Sequence, residues 1–264
     1  TAAGNTAVGS RSLTTNTTGA TNAGLGKDSL AANTTGASNT AVGASALASN
    51  TTAANNTAVG KSALLLNTTG DRNVAVGALA LDANTTADAN TAVGYEALTT
   101  NTTGEGNTAV GFGSLGLNTT GGSNTGIGQN ALLSNTTGAR NVGVGVSAGV
   151  AITTGAYNVL MGAYAGDAIT TGEQNVAVGD AALSANITGT DNVSIGDQSL
   201  KVSTASNNIA VGSSALIKNT TGTTNTAAGH TVMNQNTTGA NNVAMGSGAL
   251  ANNTTASNNI AIGT

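Results

Sequence analysis

The pentapeptide Asn-Thr-Ala-Val-Gly, or a close variant of it, recurs along the whole chain at an almost constant interval of 17 residues. Its leading Asn occurs 16 times, and only one of the 15 intervals, from Asn192 to Asn208, is shortened to 16 residues. A short fixed period that fills a chain is typical of repeat proteins, in which each repeat is one structural unit stacked on its neighbours. The sequence therefore predicts a single repeat array over residues 1–264, with variant repeats at 141–174 and an irregular repeat at 192–207.

Neither end of the array carries a recognisable capping sequence. Uncapped solenoid ends expose unpaired backbone groups that invite further pairing. We therefore expect this stretch either to continue into a longer chain or to stack end to end with other copies.

Counted from the leading Asn as position 1, the repeat reads Asn-Thr/Val-Ala-Val-Gly-x-x-Ala-Leu-x-x-Asn-Thr-Thr-Gly-x-x. Positions 2 and 4 alternate around a small residue, which is the periodicity of a β-strand. We expect the aliphatic residue at position 4 to face the core and the small residue at position 3 to form a smooth outer surface. Gly at position 5 is expected to end the strand, because a turn needs permissive dihedral angles there. Ala-Leu at positions 8 and 9 predicts a second short strand, followed by a turn at Asn-Thr-Thr-Gly.

Two strands and two turns per repeat predict an all-β fold, a parallel β-solenoid or β-roll of about sixteen 17-residue coils. Seventeen extended residues have a contour of roughly 55 Å, which is enough for one circuit of a thin coil. The 7 basic and 11 acidic residues all fall at the variable positions, which are therefore expected to face solvent. Few large aliphatic residues remain for the core of each coil, so we expect the chain to associate with further copies of itself.

Two variant repeats indicate which way position 12 points. Gly149 and Gly166 replace the Leu of position 9, and in the same repeats Ile152 and Ile169 replace the Asn of position 12. Loss of one aliphatic residue with gain of another three residues later indicates volume compensation within one layer of core. Position 12 is therefore expected to point inward, and its Asn residues to form a ladder of stacked amides.

The Asn-Thr-Ala-Val-Gly block and its variants Asn-Val-Ala-Val-Gly and Asn-Val-Ser-Ile-Gly resemble the head repeat of trimeric autotransporter adhesins, the YadA-like head. The longer form with Ala-Leu and Asn-Thr-Thr-Gly resembles repeats of phage tail-fibre and other virion-fibre proteins. The resemblance covers essentially all 264 residues, although this repeat is longer than that of the adhesins. It implies a left-handed coil and three chains packed side by side.

Bulk chemistry argues against several functional classes. A net charge of −4 provides no basic patch for nucleic acid. No apolar run approaches the length of about 18 residues that a membrane span needs. With one histidine, His230, and no cysteine, the chain offers no catalytic triad or zinc site, so we predict neither an enzyme nor a cofactor.

Two clusters at variable positions are candidate ligand sites. Asp71, Asp88 and Glu105 occupy position 16 of consecutive repeats, so stacking would place them about 4.8 Å apart, where Ca²⁺ could relieve their repulsion. Solvated carboxylates are the alternative interpretation. Tyr95 and Phe112 occupy position 6 of adjacent repeats and form either a sugar-stacking surface or a simple aromatic pair between adjacent coils on a solvent-exposed face.

The Asn of position 12 also begins an Asn-x-Thr sequence, the acceptor for N-linked glycans. A glycan-coated extracellular fibril is therefore an alternative function, although an inward ladder residue could not carry a sugar. The candidate sites are Asn16, Asn33, Asn50, Asn67, Asn84, Asn101, Asn118, Asn135, Asn186, Asn219, Asn236 and Asn253.

Ice binding is a further alternative, because Thr recurs at positions 13 and 14 and would stack into regular hydroxyl rows. One such row is Thr17, Thr34, Thr51, Thr68 and Thr85.

The sequence favours a structural rod of an extracellular appendage, an adhesin head or a virion tail fibre. It would act by assembly and by presenting its surface. The expected partner is the chain itself, as a trimer or filament, with a host surface or glycans as further partners.

Overall fold

The computed structural model describes residues 2–264, in which every regular element is a three-residue β-strand and no helix occurs. The chain divides into two compact units, residues 1–137 and 138–264. The strands of the first unit are β1 (Thr6–Val8), β2 (Ala23–Leu25), β3 (Thr40–Val42), β4 (Thr57–Val59), β5 (Val74–Val76), β6 (Thr91–Val93), β7 (Thr108–Val110) and β8 (Thr125–Ile127). The strands of the second are β9 (Val142–Val144), β10 (Val159–Met161), β11 (Val176–Val178), β12 (Val193–Ile195), β13 (Ile209–Val211), β14 (Thr226–Ala228), β15 (Val243–Met245) and β16 (Ile260–Ile262).

Within each unit, every strand pairs in parallel with the strand of the next repeat. The register matches equivalent positions, so Thr40 lies beside Thr57 and Ala41 beside Ala58. The irregular repeat keeps this register, since Val193 pairs with Ile209. The predicted all-β parallel solenoid is therefore confirmed, and each position of the repeat forms a column along the stack.

The direction of the strand side chains differs from the prediction. Ala41 and Ala58, at position 3, are fully buried, whereas Leu25 and Ile127, at position 4, are 50% and 40% exposed. The assignment of position 4 to the core was therefore wrong. The coil interior is narrow, and the Leu of position 9, such as Leu47, already fills it. Only a small residue fits opposite that Leu, so the larger aliphatic residues lie outside.

The predicted second strand is also absent, because Ala-Leu lies in a turn. Leu47 has φ 52° and Ser45 has φ 57°, in the left-handed region that interrupts a strand. Such a conformation costs a non-glycine residue roughly 1–2 kcal/mol. The backbone still pairs between coils, since the Leu47 N–H donates to the Ala63 carbonyl at 2.9 Å. These inter-coil bonds offset the strain, although they do not form a strand ladder.

Gly at position 5 has the permissive conformation that was predicted, and the space available at this position requires Gly as well. Gly43 has φ 131°, which L-residues rarely adopt. A Cβ at Gly43 would lie 2.5 Å from the carbonyl oxygen of Gly60 in the next coil. A side chain at position 5 would therefore push two coils apart.

Two columns of Asn close each coil. At position 12, Asn50 Nδ2 donates to Asn33 Oδ1 at 2.8 Å and to the Ala53 carbonyl at 3.0 Å. At position 1, Asn39 Nδ2 donates to the same Ala53 carbonyl at 2.8 Å. The backbone N–H of Asn39 donates to Asn22 Oδ1 at 2.9 Å. The predicted amide ladder is confirmed, and a second ladder that was not predicted lies at position 1.

The variant repeats show the expected exchange of volume. Ile152 and Ile169 are fully buried, which confirms that position 12 points inward. A Cβ at Gly166 would lie 2.8 Å from both Ile169 Cδ1 and Leu160 Cδ2. Leu160 and Ile169 therefore fill the space that the Leu of position 9 occupies in other repeats.

We expect Asn84→Ala to lower the free energy of unfolding by about 3 kcal/mol, because buried partners would lose their bonds. Asn84 Nδ2 donates to Asn67 Oδ1 and to the Ala87 carbonyl, and Asn84 Oδ1 accepts from Asn101 Nδ2. Urea unfolding followed by circular dichroism measures the change. Thr86→Ala, at an exposed site in the same turn, is the matched control and should be nearly neutral. Equal losses in both variants would contradict a structural role for the ladder.

Candidate interaction surface

The outward side of the strands is the most regular exposed surface of each unit. In β3 and β4, the middle residue is buried and its two neighbours are partly exposed, and the same alternation holds throughout β2–β15. Successive strand residues point to opposite sides, so positions 2 and 4 both face outward. We call these two columns the strand face. None of their residues is charged in any repeat.

In the second unit the strand face is almost entirely apolar. Fifteen of its sixteen residues are Val, Ile, Met or Ala, the exception being Thr226. Met161 is 43% exposed and Ile195 is 39% exposed. Position 2 is Val142, Val159, Val176, Val193, Ile209, Thr226, Val243 and Ile260, and position 4 is Val144, Met161, Val178, Ile195, Val211, Ala228, Met245 and Ile262.

In the first unit the two columns differ in chemistry. Position 4 is aliphatic in every repeat, whereas six of the eight residues at position 2 are Thr. The six are Thr6, Thr40, Thr57, Thr91, Thr108 and Thr125, and the aliphatic column is Val8, Leu25, Val42, Val59, Val76, Val93, Val110 and Ile127.

This arrangement suits binding to an extended surface. Soluble monomers rarely expose a contiguous apolar patch larger than a few hundred Å², and larger patches mark interaction sites. Sequence reasoning missed the face because it placed position 4 inside. The small residue at position 3 of every repeat except that of Leu160 was the available signal, since a narrow coil selects small residues for its interior.

The acidic column has a different role from the one considered. Asp71 Oδ1 accepts the backbone N–H of Ala54 at 2.7 Å, and Asp88 Oδ1 accepts that of Asp71 at 2.8 Å. Asp88 also pairs with Arg72 at 2.8 Å, whereas Glu105 is exposed. Residues 2–264 contain no group of three side chains placed to hold a metal ion. The two aspartates thus cap backbone donors of position 16 from the neighbouring coil.

Tyr95 and Phe112 form a parallel stacked pair, with ring centroids 5.9 Å apart and an interplanar angle of 7°. Both side chains are about half exposed. A hydrogen bond with Glu96 raises the pKa of the Tyr95 phenol, with a smaller contribution from the negative charge of Glu96. Each ring covers one face of the other, so the two side chains form an aromatic pair between adjacent coils, and the sugar-stacking role stays a prediction.

All the sequon asparagines except Asn186 are ladder residues; Asn186 lies between Ile169 and Ser203 in its column and donates to the Ala205 carbonyl at 3.2 Å. Ten are fully buried, and Asn16 and Asn253 are partly exposed. A glycan on Nδ2 would break the ladder bonds, so the folded coil disfavours glycosylation at the buried sites. The buried ten are Asn33, Asn50, Asn67, Asn84, Asn101, Asn118, Asn135, Asn186, Asn219 and Asn236.

The Thr row at position 13 is also occupied by structural bonds. Thr34 Oγ1 donates to the Thr51 carbonyl at 3.0 Å, and Thr51 Oγ1 to the Thr68 carbonyl at 3.1 Å. The same bond is formed by Thr17, Thr68 and Thr85. Each of these five hydroxyl protons is therefore donated within the coil and is not available to bind a water layer.

One acidic residue departs from the solvated pattern. Asp167 Oδ1 is buried and has no hydrogen-bond partner in the described part of the chain. Desolvation raises the pKa of Asp167, and the backbone N–H groups of Asp167 and Ala168 offset only part of the rise. The ionised carboxylate therefore destabilises the coil that contains it.

His230 is exposed and contacts Thr231, and the described residues form no pocket. Among these residues there is also no helix with the length and apolar character to cross a membrane.

No protein-family model matches the chain, and no curated protein matches it. The resemblance to adhesin and tail-fibre repeats therefore stays a prediction, and function has to be argued from the surface itself.

We expect Asp71→Ala to lower the free energy of unfolding by about 1 kcal/mol, because the Ala54 N–H loses a charged acceptor. Glu173→Ala is the matched control. Glu173 occupies the same position of another repeat, with an exposed side chain that makes no hydrogen bond in the described residues. Urea unfolding of both variants tests the capping role, which would be wrong if the two lost equal stability.

We expect Asp167→Asn to raise the melting temperature at pH 7. The pKa of Asp167 in the folded state lies above its value in the unfolded state. The ionised carboxylate therefore lowers the free energy of unfolding fully at pH values above the folded-state pKa, and this loss disappears at pH values below the unfolded-state pKa. The gain should therefore vanish near pH 3. Exposed Asp180, changed to Asn, controls for the loss of one charge, and a gain that persists at pH 3 would count against the desolvation argument.

Proposed function

We propose that the chain is a structural rod that works by side-by-side association of copies through the strand face. One observation carries this proposal: the strands place Ala inside and Val, Ile or Met outside. A strand that folds for its own stability alone buries its larger aliphatic residues. Here those residues gain full burial only when a second surface covers them.

A second copy of the chain is the partner that fits this face best. Equivalent residues stack at the strand spacing of about 4.8 Å over the eight consecutive repeats of the second unit. A partner surface must share that period to keep its side chains between those of the face. Another copy has it automatically. The absence of charge at positions 2 and 4 also removes the like-charge repulsion that would oppose self-association.

The second unit supports the proposal more strongly than the first. Its position 2 is aliphatic in seven of eight repeats, so both columns contribute apolar area. We therefore assign the main association surface to this unit. A trimer, as the adhesin resemblance implies, and a laterally packed filament both satisfy the requirement.

The setting we propose is an extracellular appendage, an adhesin head or a virion tail fibre. Two features support it. The stacked coils extend by repetition, and the variable residues form columns that can change without altering the core. Such a rod is suited to presenting a long surface to a host cell or its glycans.

We expect Ile195→Lys to prevent self-association, because a buried unpaired charge costs several kcal/mol at an interface. Ile195 lies on the strand face of the second unit and is 39% exposed. Ile187→Lys is a closely matched control. Ile187 lies in the same unit and is 49% exposed, but it occupies position 13, away from the face.

Sedimentation velocity over a range of protein concentrations measures the outcome. The unchanged chain and Ile187→Lys should form the same oligomer, and Ile195→Lys should sediment as a monomer. A monomeric unchanged chain at all concentrations would refute the association proposal. Dissociation by both variants would show that the strand face is not the specific surface.

A further inference from the structure

The Thr column of the first unit consists of hydroxyls that the fold does not use. Thr40, Thr57, Thr91, Thr108 and Thr125 are all partly exposed. Among the described residues, none of their hydroxyls forms a hydrogen bond within the chain, in contrast to the Thr hydroxyls of position 13. A polar column with no internal partner therefore lies beside an aliphatic column.

The two columns form an array with two runs of consecutive Thr residues, Thr40 and Thr57 in one run and Thr91, Thr108 and Thr125 in the other, separated by Val74. Within a run, neighbouring Thr residues are one strand apart, about 4.8 Å, and each lies about 6.6 Å from the aliphatic residue of position 4 on its own strand. Val and Thr are β-branched and restricted at χ1, so methyl and hydroxyl groups repeat with little rotational freedom. The array contains no charged residue that would hold a separate hydration shell.

The chemistry of the array selects the ligand. Each Thr hydroxyl offers one hydrogen-bond donor and two acceptor sites. The groups of a ligand must therefore both accept and donate hydrogen bonds, and their spacing must match that of the strands. Water in an ordered layer meets this requirement at every hydroxyl. It can also close over the intervening methyl groups, which form no hydrogen bonds.

We propose that the strand face of the first unit binds the surface of an ice crystal. The ordered hydroxyl column anchors the water layer, and the flanking aliphatic column holds it at a constant distance from the sheet. The second unit lacks this ability, because only Thr226 supplies a hydroxyl on its strand face. This site is separate from the self-association proposed for the second unit and does not depend on it.

The test is thermal hysteresis and ice-crystal shaping by the purified full chain, measured in a nanolitre osmometer. We expect the unchanged chain to separate the melting and freezing points and to produce faceted crystals. Thr91→Tyr, in the middle of the column, should lose most of this activity because a large ring lifts the ice surface from its neighbours.

Thr103→Tyr is the matched control, because Thr103 is exposed at position 14 and lies outside the strand face. It should keep full activity, and equal melting temperatures of the two variants would exclude unfolding as the cause of the loss. Ile195→Lys should also keep the activity, which separates ice binding from self-association.

Absence of thermal hysteresis in the unchanged chain would overturn the proposal. Equal losses in Thr91→Tyr and Thr103→Tyr would overturn it as well. Retention on microcrystalline cellulose without any effect on ice would show that the array reads a polysaccharide surface instead.

Discussion

The carbonyl oxygen of position 15 is the point at which each coil closes, and the rest of the fold depends on it. In one coil, the Ala53 carbonyl accepts Asn39 Nδ2 at 2.8 Å and Asn50 Nδ2 at 3.0 Å. These two Asn residues begin the strand and the opposite turn, so one buried acceptor joins both sides of the coil. The remaining amide groups bond to the next coil, and closure and stacking are therefore achieved by the same side chains. Buried amides that were not fully bonded would destabilise so thin a core.

The narrow interior explains why the outer surface is apolar. Asn amides and one Leu fill most of each coil, which leaves room only for Ala on the inner side of the strand. β-Branched residues fit a pleated, half-buried surface well, and on this strand the outer positions are the ones with room for them. An apolar strand face is thus a consequence of the Asn-closed coil. Its use in association or ligand binding depends on which residues follow one another along the two outer columns.

Much of the fold could be predicted from the sequence because the period and the inward direction of position 12 are visible in it. The exchange at Gly166 and Ile169 reported a buried position correctly, since a change of volume at one site required a change at another. The direction of the strand could not be obtained in the same way. Alternation shows that positions 2 and 4 share a side, but it does not show which side is inside. The left-handed conformation of Leu47 was equally invisible, because Leu carries no sign of it in a single sequence.

The candidate surface was missed because alternation does not show which side of the strand faces the core. In a stacked repeat each residue lies beside the equivalent residue of the next coil. The residue type along an outward column can therefore change without a change in the buried residues. Position 2 can change from Thr to Val between the two units while Ala at position 3 stays buried, as in Ala58 and Ala177. Position 16 can likewise exchange the carboxylate of Asp71 for the hydroxyl of Ser257, which caps the N–H of Ala240 at 3.0 Å. Because the closing amides carry the stability, the outer columns are free to specialise, and two units of one solenoid can present different surfaces on an unchanged coil.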